Sequence, residues 1–294
     1  MLFFVALLVD GALAGALYAL IALAFVVVYK ASRMMNFALG EWTMLGSGLV
    51  AAAHHAIGLA LAPAITVACA GMTAIAYAFN RVVVRPLVGG PLISLIMVTL
   101  GFGALLRGAT TIALAGIPRG LTLPVAGTPM EVHGLFLPRE KLVVAVIAVL
   151  TIGIVAALFR WSRTGLALRA IADDQQVAMA MGIDLPRHLA LTWATAGIIA
   201  VVAGTLWTVV AGGGLGLVVI GLKVFPVVVI GGLDSIPGTI VAAVLVGVLE
   251  SLAAGYLDPV AGSGFGSVAP YFALIAMLCA RPYGLFGRPD VTRV

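Results

Sequence analysis

Leu189–Leu222, LALTWATAGIIAVVAGTLWTVVAGGGLGLVVIGL, runs without a single charged side chain. A bilayer-spanning helix needs about 18 or more predominantly apolar residues, and this stretch exceeds that length. Working outward, Gly11–Tyr29, Ala56–Asn80, Pro86–Leu106, Leu142–Phe159 and Pro259–Ala280 are charge-free in the same way. The 294 residues are 63% hydrophobic and 9% charged, with mean hydropathy +1.22. Soluble domains carry roughly 25% charged residues, so the chain reads as a polytopic, all-α transmembrane helical bundle. A closed β-barrel is excluded by the same runs, because its strands alternate polar and apolar in segments of about ten residues.

We assign nine spans, near 11–30, 37–57, 60–80, 92–114, 141–160, 190–211, 217–233, 238–257 and 268–281, within a single transmembrane domain covering 1–294. A count of eight to ten remains open, because 35–53 and 217–233 also read as re-entrant. Ala12-Leu13-Ala14 resembles a cleavage site. No basic region leads it and Asp10 interrupts the apolar run, so the first span is expected to be retained. Cys69 and Cys279 lie in apolar runs and read as buried packing residues.

The exception to this apolar character is Arg160–Arg187, RWSRTGLALRAIADDQQVAMAMGIDLPR. It reads as a loop over 160–189 outside the bilayer. Thr164-Gly165 breaks the chain, Leu166–Ile171 makes a turn or two, Asp173 caps a segment over Asp174–Met181, and Gly182 ends it. Val177, Met179, Ala180 and Met181 make that segment too apolar for a solvated loop. It reads either as a docking turn for a partner protein or as a turn packed on the chain's own helices.

Cytoplasmic loops are enriched in Lys and Arg. With the 160–189 loop inside, Lys30, Arg33, Arg81, Arg85, Arg160, Arg163, Arg169, Arg187, Arg281, Arg288 and Arg293 also fall inside, and Arg119, Arg139 and Lys141 outside. The N-terminus is then expected to face out and the C-terminus in. A pI of 9.6 is mainly this orientation signal. The charges are spread over separate loops, which argues against nucleic acid as a partner.

Charges at membrane depth cost roughly 2.5–3.5 kcal/mol each on insertion scales, so each should have a partner or a task. Glu41 and Lys223 read either as transport or gating residues or as ion-pair and helix-end anchors. Glu250 and Arg107 read as structural partners of something. Gly40, Gly46 and Gly48 in Met35–Ala53, and eight glycines with Pro226 and Pro237 in Gly212–Ile240, mark two segments as candidates for a translocation path. The alternative is that small residues simply allow close helix approach, as Gly11 and Gly15 do in the first span. GEWTMLGSGLVAA (40–52) weakly echoes GGLDSIPGTIVAA (231–243), a possible internal repeat.

No catalytic constellation emerges. His54 and His55 adjoin near an outer end, His133 lies in an outer loop and His188 follows Arg187; no pair has the i, i+4 spacing of a helical metal site. Gly212-Gly213-Gly214 lacks the lysine of a phosphate loop, so ATP, if used, is expected on another subunit.

Five blocks in order, YALIALAFVVVYKASRMMNFALGEWTMLGSGLVA, RVVVRPL, RTGLALRAIADDQQVAMAMGID, GLKVFPVVVIGGLDSIPGTIVAAVLVGVLES and RPYGLFGRPDV, carry a resemblance over almost the whole length. They are similar to the permeases of branched-chain amino acid ABC importers, and NFALGE with the compact length resembles the shorter of two permease types. The resemblance implies a bacterial inner-membrane importer of two different permeases, two cytoplasmic ATPases holding ATP and Mg, and a periplasmic substrate-binding protein. This chain is then expected to bind no cofactor and to be no enzyme. The resemblance also implies ATPase coupling through Gly165, Arg169, Ala170, Asp173, Ala178, Met181, Gly182 and Ile183. Asn36, Phe37, Gly40, Glu41, Trp42, Lys223, Phe225, Pro226 and Glu250 fall in or beside its membrane blocks, as a transport path. Trp42 stands where the family often has a smaller residue, and Pro226 follows Phe225 where small residues are usual; both bear on path width and substrate. Substrates implied are branched-chain amino acids, related short amides or organic acids. A rival reading is a secondary transporter with Glu41 or Glu250 carrying protons.

Overall fold

Exclusion of water from the bilayer forces backbone N–H and C=O groups to pair within a segment, so apolar runs become helices. The computed structural model follows that rule and describes residues 1–87, 90–125, 129–132, 135–262 and 264–287. In chain order the elements are α1 (Leu2–Ser32), α2 (Leu39–His55), α3 (Leu61–Phe79), a π-helical turn (Asn80–Val84), α4 (Arg85–Leu87) and α5 (Leu92–Ala113). Strands β1 (Met130–Val132) and β2 (Leu135–Leu137) follow, then α6 (Arg139–Trp161), α7 (Arg163–Asp173), α8 (Gln175–Ala180) and α9 (Leu185–Ala211). The chain ends with α10 (Gly216–Gly231), α11 (Ile236–Tyr256), α12 (Asp258–Ala261) and α13 (Phe265–Ala280). Among the described residues six helices are long and apolar enough to cross a membrane, and Gly216–Gly231 and Phe265–Ala280 are shorter apolar helices. The nine expected spans each coincide with a helix. His133, Arg288 and Arg293 lie outside the described residues.

The chain forms two compact units. One comprises Met1–Val26, Val125–Val149 and Lys223–Val294. In it, a Cβ on Gly11 would lie 2.6 Å from the Cα of Val248, and one on Gly15 2.7 Å from the Cα of Val244. The small-residue face of α1 thus meets α11 backbone to backbone. The short strands pair antiparallel, with Glu131 opposite Phe136. After α13 the chain turns back, and Leu285 N–H donates to the Ile230 carbonyl at 2.8 Å.

The other unit comprises Val27–Pro124 and Leu150–Leu222, with α2 packed against α3, α5 and α9. Its centre is a four-ring cluster. Trp42 lies 5.9 Å from Phe79 and 5.8 Å from Trp193 between centroids, and Phe79 stacks on Phe102 at 4.0 Å.

Several expectations are corrected. Met35–Ala53 is not interrupted: α2 is continuous, and its glycines serve packing. A Cβ on Gly46 would come within 2.8 Å of the Val201 Cα, and one on Gly40 within 2.9 Å of the Val218 Cα. Pro226 sits inside the continuous α10, and the breaks fall instead at 212–215 and 232–235. The echo between 40–52 and 231–243 fails at this level, since the first segment is wholly helical and the second contains that break. The first helix begins earlier than the span expected near 11–30, so that Asp10 lies within α1, paired with Lys141 at 2.5 Å. Cys279 is exposed and Cys69 only half-buried. Lipid-facing and interior faces of a membrane helix are equally apolar, so an apolar run does not distinguish them.

Candidate functional site

The first charged constellation begins where α1 gives way to α2. Asn36 is buried and its Oδ1 accepts from Ala38 N–H at 3.1 Å, closing the turn that starts α2. Phe37 N–H donates to Thr99 Oγ1 at 3.4 Å. Glu41, one turn on, is 5% exposed and accepts from the Arg107 guanidinium on α5. Gly103 leaves the room, since a Cβ there would lie 3.2 Å from the Glu41 carboxyl carbon. Gly40 meets Gly221, whose Cβ would stand 2.3 Å from the Gly40 Cα, so α2 and the start of α10 cross at van der Waals contact. Trp42 is 1% exposed and belongs to the aromatic core. It presents no surface to a solute in this conformation.

A second constellation lies in the other unit. Lys223 Nζ donates to Glu250 Oε1 at 2.6 Å and to Ser267 Oγ at 3.1 Å, while Tyr18 Oη–H donates to Glu250 Oε2 at 2.6 Å. Both carboxylate oxygens are therefore engaged, which is what a charge at membrane depth requires. Phe225 meets Phe25 edge-on at 6.4 Å, and Pro226 is buried. Sequence reasoning found Lys223 and Glu250 but neither Tyr18 nor Ser267. The available signal was the cost of an unpaired acid in a span, which demands a partner without saying which residue supplies it.

The third constellation is the polar loop, with boundaries that differ from expectation. Ser162, accepting from Gly165 N–H at 2.9 Å, caps α7, which runs unbroken from Arg163 to Asp173. Gly165 does not break the chain. It lets α7 fold tightly against the end of α6, where a Cβ would come within 2.2 Å of the Phe159 carbonyl oxygen. The cap of α8 is Asp174 rather than Asp173, because its Oδ1 accepts from Gln176 N–H at 2.8 Å and Val177 N–H at 3.0 Å. Asp173 is instead the exposed last residue of α7.

Ala178, Gly182 and Ile183 belong to one helix-ending motif. Ile183 N–H donates to the Ala178 carbonyl at 3.1 Å and Gly182 N–H to Met179 at 3.0 Å, with Gly182 at φ +82°. Ala178 is buried beneath this turn, whereas Val177, Met179 and Met181 are exposed. Arg169 and Ala170 are half-buried on α7, and Arg169 donates to the Arg160 carbonyl at 3.1 Å. Arg33, in the left-handed region at φ +55°, donates to the Ala172 carbonyl at 3.1 Å. It caps the carbonyl end of α7 and ties the loop to the segment leading into Asn36, a link sequence reasoning missed.

His54 Nδ1 contacts the Leu59 carbonyl at 2.7 Å and His55 Nε2 the Gly120 carbonyl at 2.9 Å, so the pair fastens loops.

The family described as branched-chain amino acid transport system, permease component, matches residues 7–280. The chain belongs to that family. It is accordingly a multi-pass membrane permease component. BraD of Pseudomonas aeruginosa, a high-affinity branched-chain amino acid transport system permease protein, is 29% identical over 302 residues, covering 98% of this chain and 97% of BraD. LivH of Escherichia coli K12, of the same description, is 29% identical over 313 residues, covering 100% of this chain and 98% of LivH. A probable branched-chain amino acid transport permease protein LivH of Methanocaldococcus jannaschii is 34% identical over 150 residues, 48% of this chain and 46% of that one. A chain of PsaBC from Streptococcus pneumoniae in complex with Fab aligns over 91% of this chain and 90% of its own, at 16% identity and TM-score 0.48.

Proposed function

We propose that this permease component is one transmembrane domain of an ATP-driven importer in a bacterial inner membrane, moving branched-chain or related hydrophobic amino acids, short amides or organic acids inward. It works with a second homologous permease, two cytoplasmic ATPases that hold ATP and Mg, and a periplasmic binding protein. Its N-terminus faces the periplasm and its C-terminus the cytoplasm.

The observation that carries this reading is α8. It is two turns long, capped at both ends, and carries the exposed apolar side chains of Val177, Met179 and Met181. A rigid apolar knob outside the membrane spans suits insertion into a groove on another protein. Arg33 joins α7 to the turn before α2, which gives motion of the loop a route to the Asn36–Glu41 block. ATP-driven closure of the ATPases would then bias a two-state membrane element through differential binding. Glu41 and Glu250 are each ion-paired, which speaks against either as a free proton carrier.

The test is affinity purification of the tagged chain coexpressed with its genomic neighbours, followed by an ATPase assay with binding proteins loaded with leucine, urea or an aromatic acid. Copurifying ATPases whose turnover rises with one loaded binding protein support the reading. A chain that purifies alone and transports under a proton gradient overturns it.

A further inference from the structure

We propose that the groove between the carboxyl end of α3 and the amino end of α9 is a binding site for an anionic phospholipid. The groove has a volume of about 720 Å³ and lies within one compact unit. Arg81, Arg85 and Arg187 line it, with Asp184 as the one carboxylate. That carboxylate caps α9, its Oδ1 accepting from Arg187 N–H at 3.1 Å. Three guanidiniums against a single committed carboxylate leave the groove cationic.

Its position explains the ligand class. The span containing α3 ends at Leu87 and the span of α9 begins at Leu185, so the cationic end lies where two candidate spans leave the hydrocarbon. Deeper along the same two helices the walls are small and apolar, including Ala74 and Ala190. A cationic mouth above an apolar trough matches a phosphodiester headgroup above acyl chains, and basic pockets between membrane helices favour anionic lipids.

Two local features are built toward this use. The chain passes through a π-helical turn at Asn80–Val84, a rare geometry that occurs often at functional sites. Asn80, which lines the groove, is 3% exposed, and among the described residues its Oδ1 has no hydrogen-bond partner. A buried acceptor without a donor is costly; the oxygen is covered in this conformation, and a rotation of the Asn80 amide toward the groove would bring it to the glycerol hydroxyls of phosphatidylglycerol. Arg81 Nη1 lies 3.5 Å from Tyr77 Oη, so the phenol sits beside the guanidinium in the mouth.

The experiment is native mass spectrometry of the full chain, delipidated in detergent and then offered equal mixtures of phosphatidylglycerol and phosphatidylcholine of identical acyl chains. Wild type is expected to retain phosphatidylglycerol at least tenfold over phosphatidylcholine. Each arginine changed to glutamine should lower that preference roughly fivefold, and R81Q/R85Q/R187Q should abolish it. Ala74→Phe fills the trough with the arginines intact and should lower lipid retention, which keeps the test decisive if the triple variant fails to insert. Parity between the two lipids in wild type, or undiminished preference in the triple variant, overturns the proposal. So does full displacement of the lipid by millimolar inorganic phosphate, which would make the site one for a soluble anion. Loss of a copurifying permease from the triple variant with lipid preference unchanged would make the groove a protein interface and equally overturn it.

Discussion

Glu41 and Arg107 share an ion pair unequally: the Glu41 side chain is 6% exposed and the Arg107 side chain 49%. Losing the guanidinium strands a buried carboxylate, whereas losing the carboxylate leaves an arginine that can snorkel outward. Arg107→Met should therefore destabilise the protein more than Glu41→Gln, by about 1–3 kcal/mol, and the double variant should recover part of the loss. Reversible unfolding in mixed micelles measures this; equal losses in the two single variants would refute the asymmetry. Glycines divide as sharply. A Cβ on Gly204 would stand 2.2 Å from the Thr43 carbonyl oxygen, while one on Gly153 meets nothing within 4 Å. Gly204→Val should cost about 1–3 kcal/mol or more through overpacking of α9 on α2, and Gly153→Ala should be neutral or slightly stabilising, read by the same unfolding assay. That some glycines serve close approach was legible in their number and spacing. Which ones do so was not, because the partner helix is distant in sequence.

At the scale of elements, α8 is held by two devices. Asp174 satisfies two N–H groups at its start, and Gly182 supplies the left-handed residue at its end. Replacing an Asp cap by Ala costs about 1 kcal/mol, and moving a β-branched residue into the left-handed region about 1–2 kcal/mol. Asp174→Ala and Gly182→Val should each speed amide hydrogen exchange across 175–183 by roughly 5- to 30-fold while leaving α9 and α11 unchanged. Asp173→Ala should do much less, since Asp173 caps nothing. If α8 is the coupling element, both destabilising variants also lower substrate-stimulated ATPase activity with assembly retained. Substrate-stimulated turnover at the wild-type rate in Gly182→Val would remove that role. The existence of this helix was readable from apolar residues inside a polar island and from the terminal glycine. The cap was misplaced by one residue because adjacent aspartates offer the same chemistry, and only the end of α7 at Asp173 decides between them.

For the whole molecule, the positions of the spans were legible because a bilayer excludes both charge and unpaired backbone, and those two exclusions leave their mark on every window of the chain. The pairing of spans was not. Tyr18 meets Glu250 and Arg107 meets Glu41 across helices far apart in sequence, and nothing in an apolar run says which face turns to lipid. The proposed orientation rests on a different signal, arginine and lysine counts in loops rather than packing. It puts Arg119, Arg139 and Lys141 on the periplasmic side, and Arg81, Arg85, Arg160, Arg163 and Arg169 on the cytoplasmic side. A reporter active only in the periplasm should therefore work when fused after Gly120 and fail when fused after Gly182 or Gly287, with a cytoplasmically fluorescent reporter giving the reverse pattern. Changing Arg81 and Arg85 together to glutamine should weaken this contrast without inverting it, because the 160–187 loop retains its own charges. The reverse pattern in the unaltered chain would put α7 and α8 outside the cell, out of reach of any cytoplasmic ATPase, and the proposed coupling through Val177, Met179 and Met181 would fall with it.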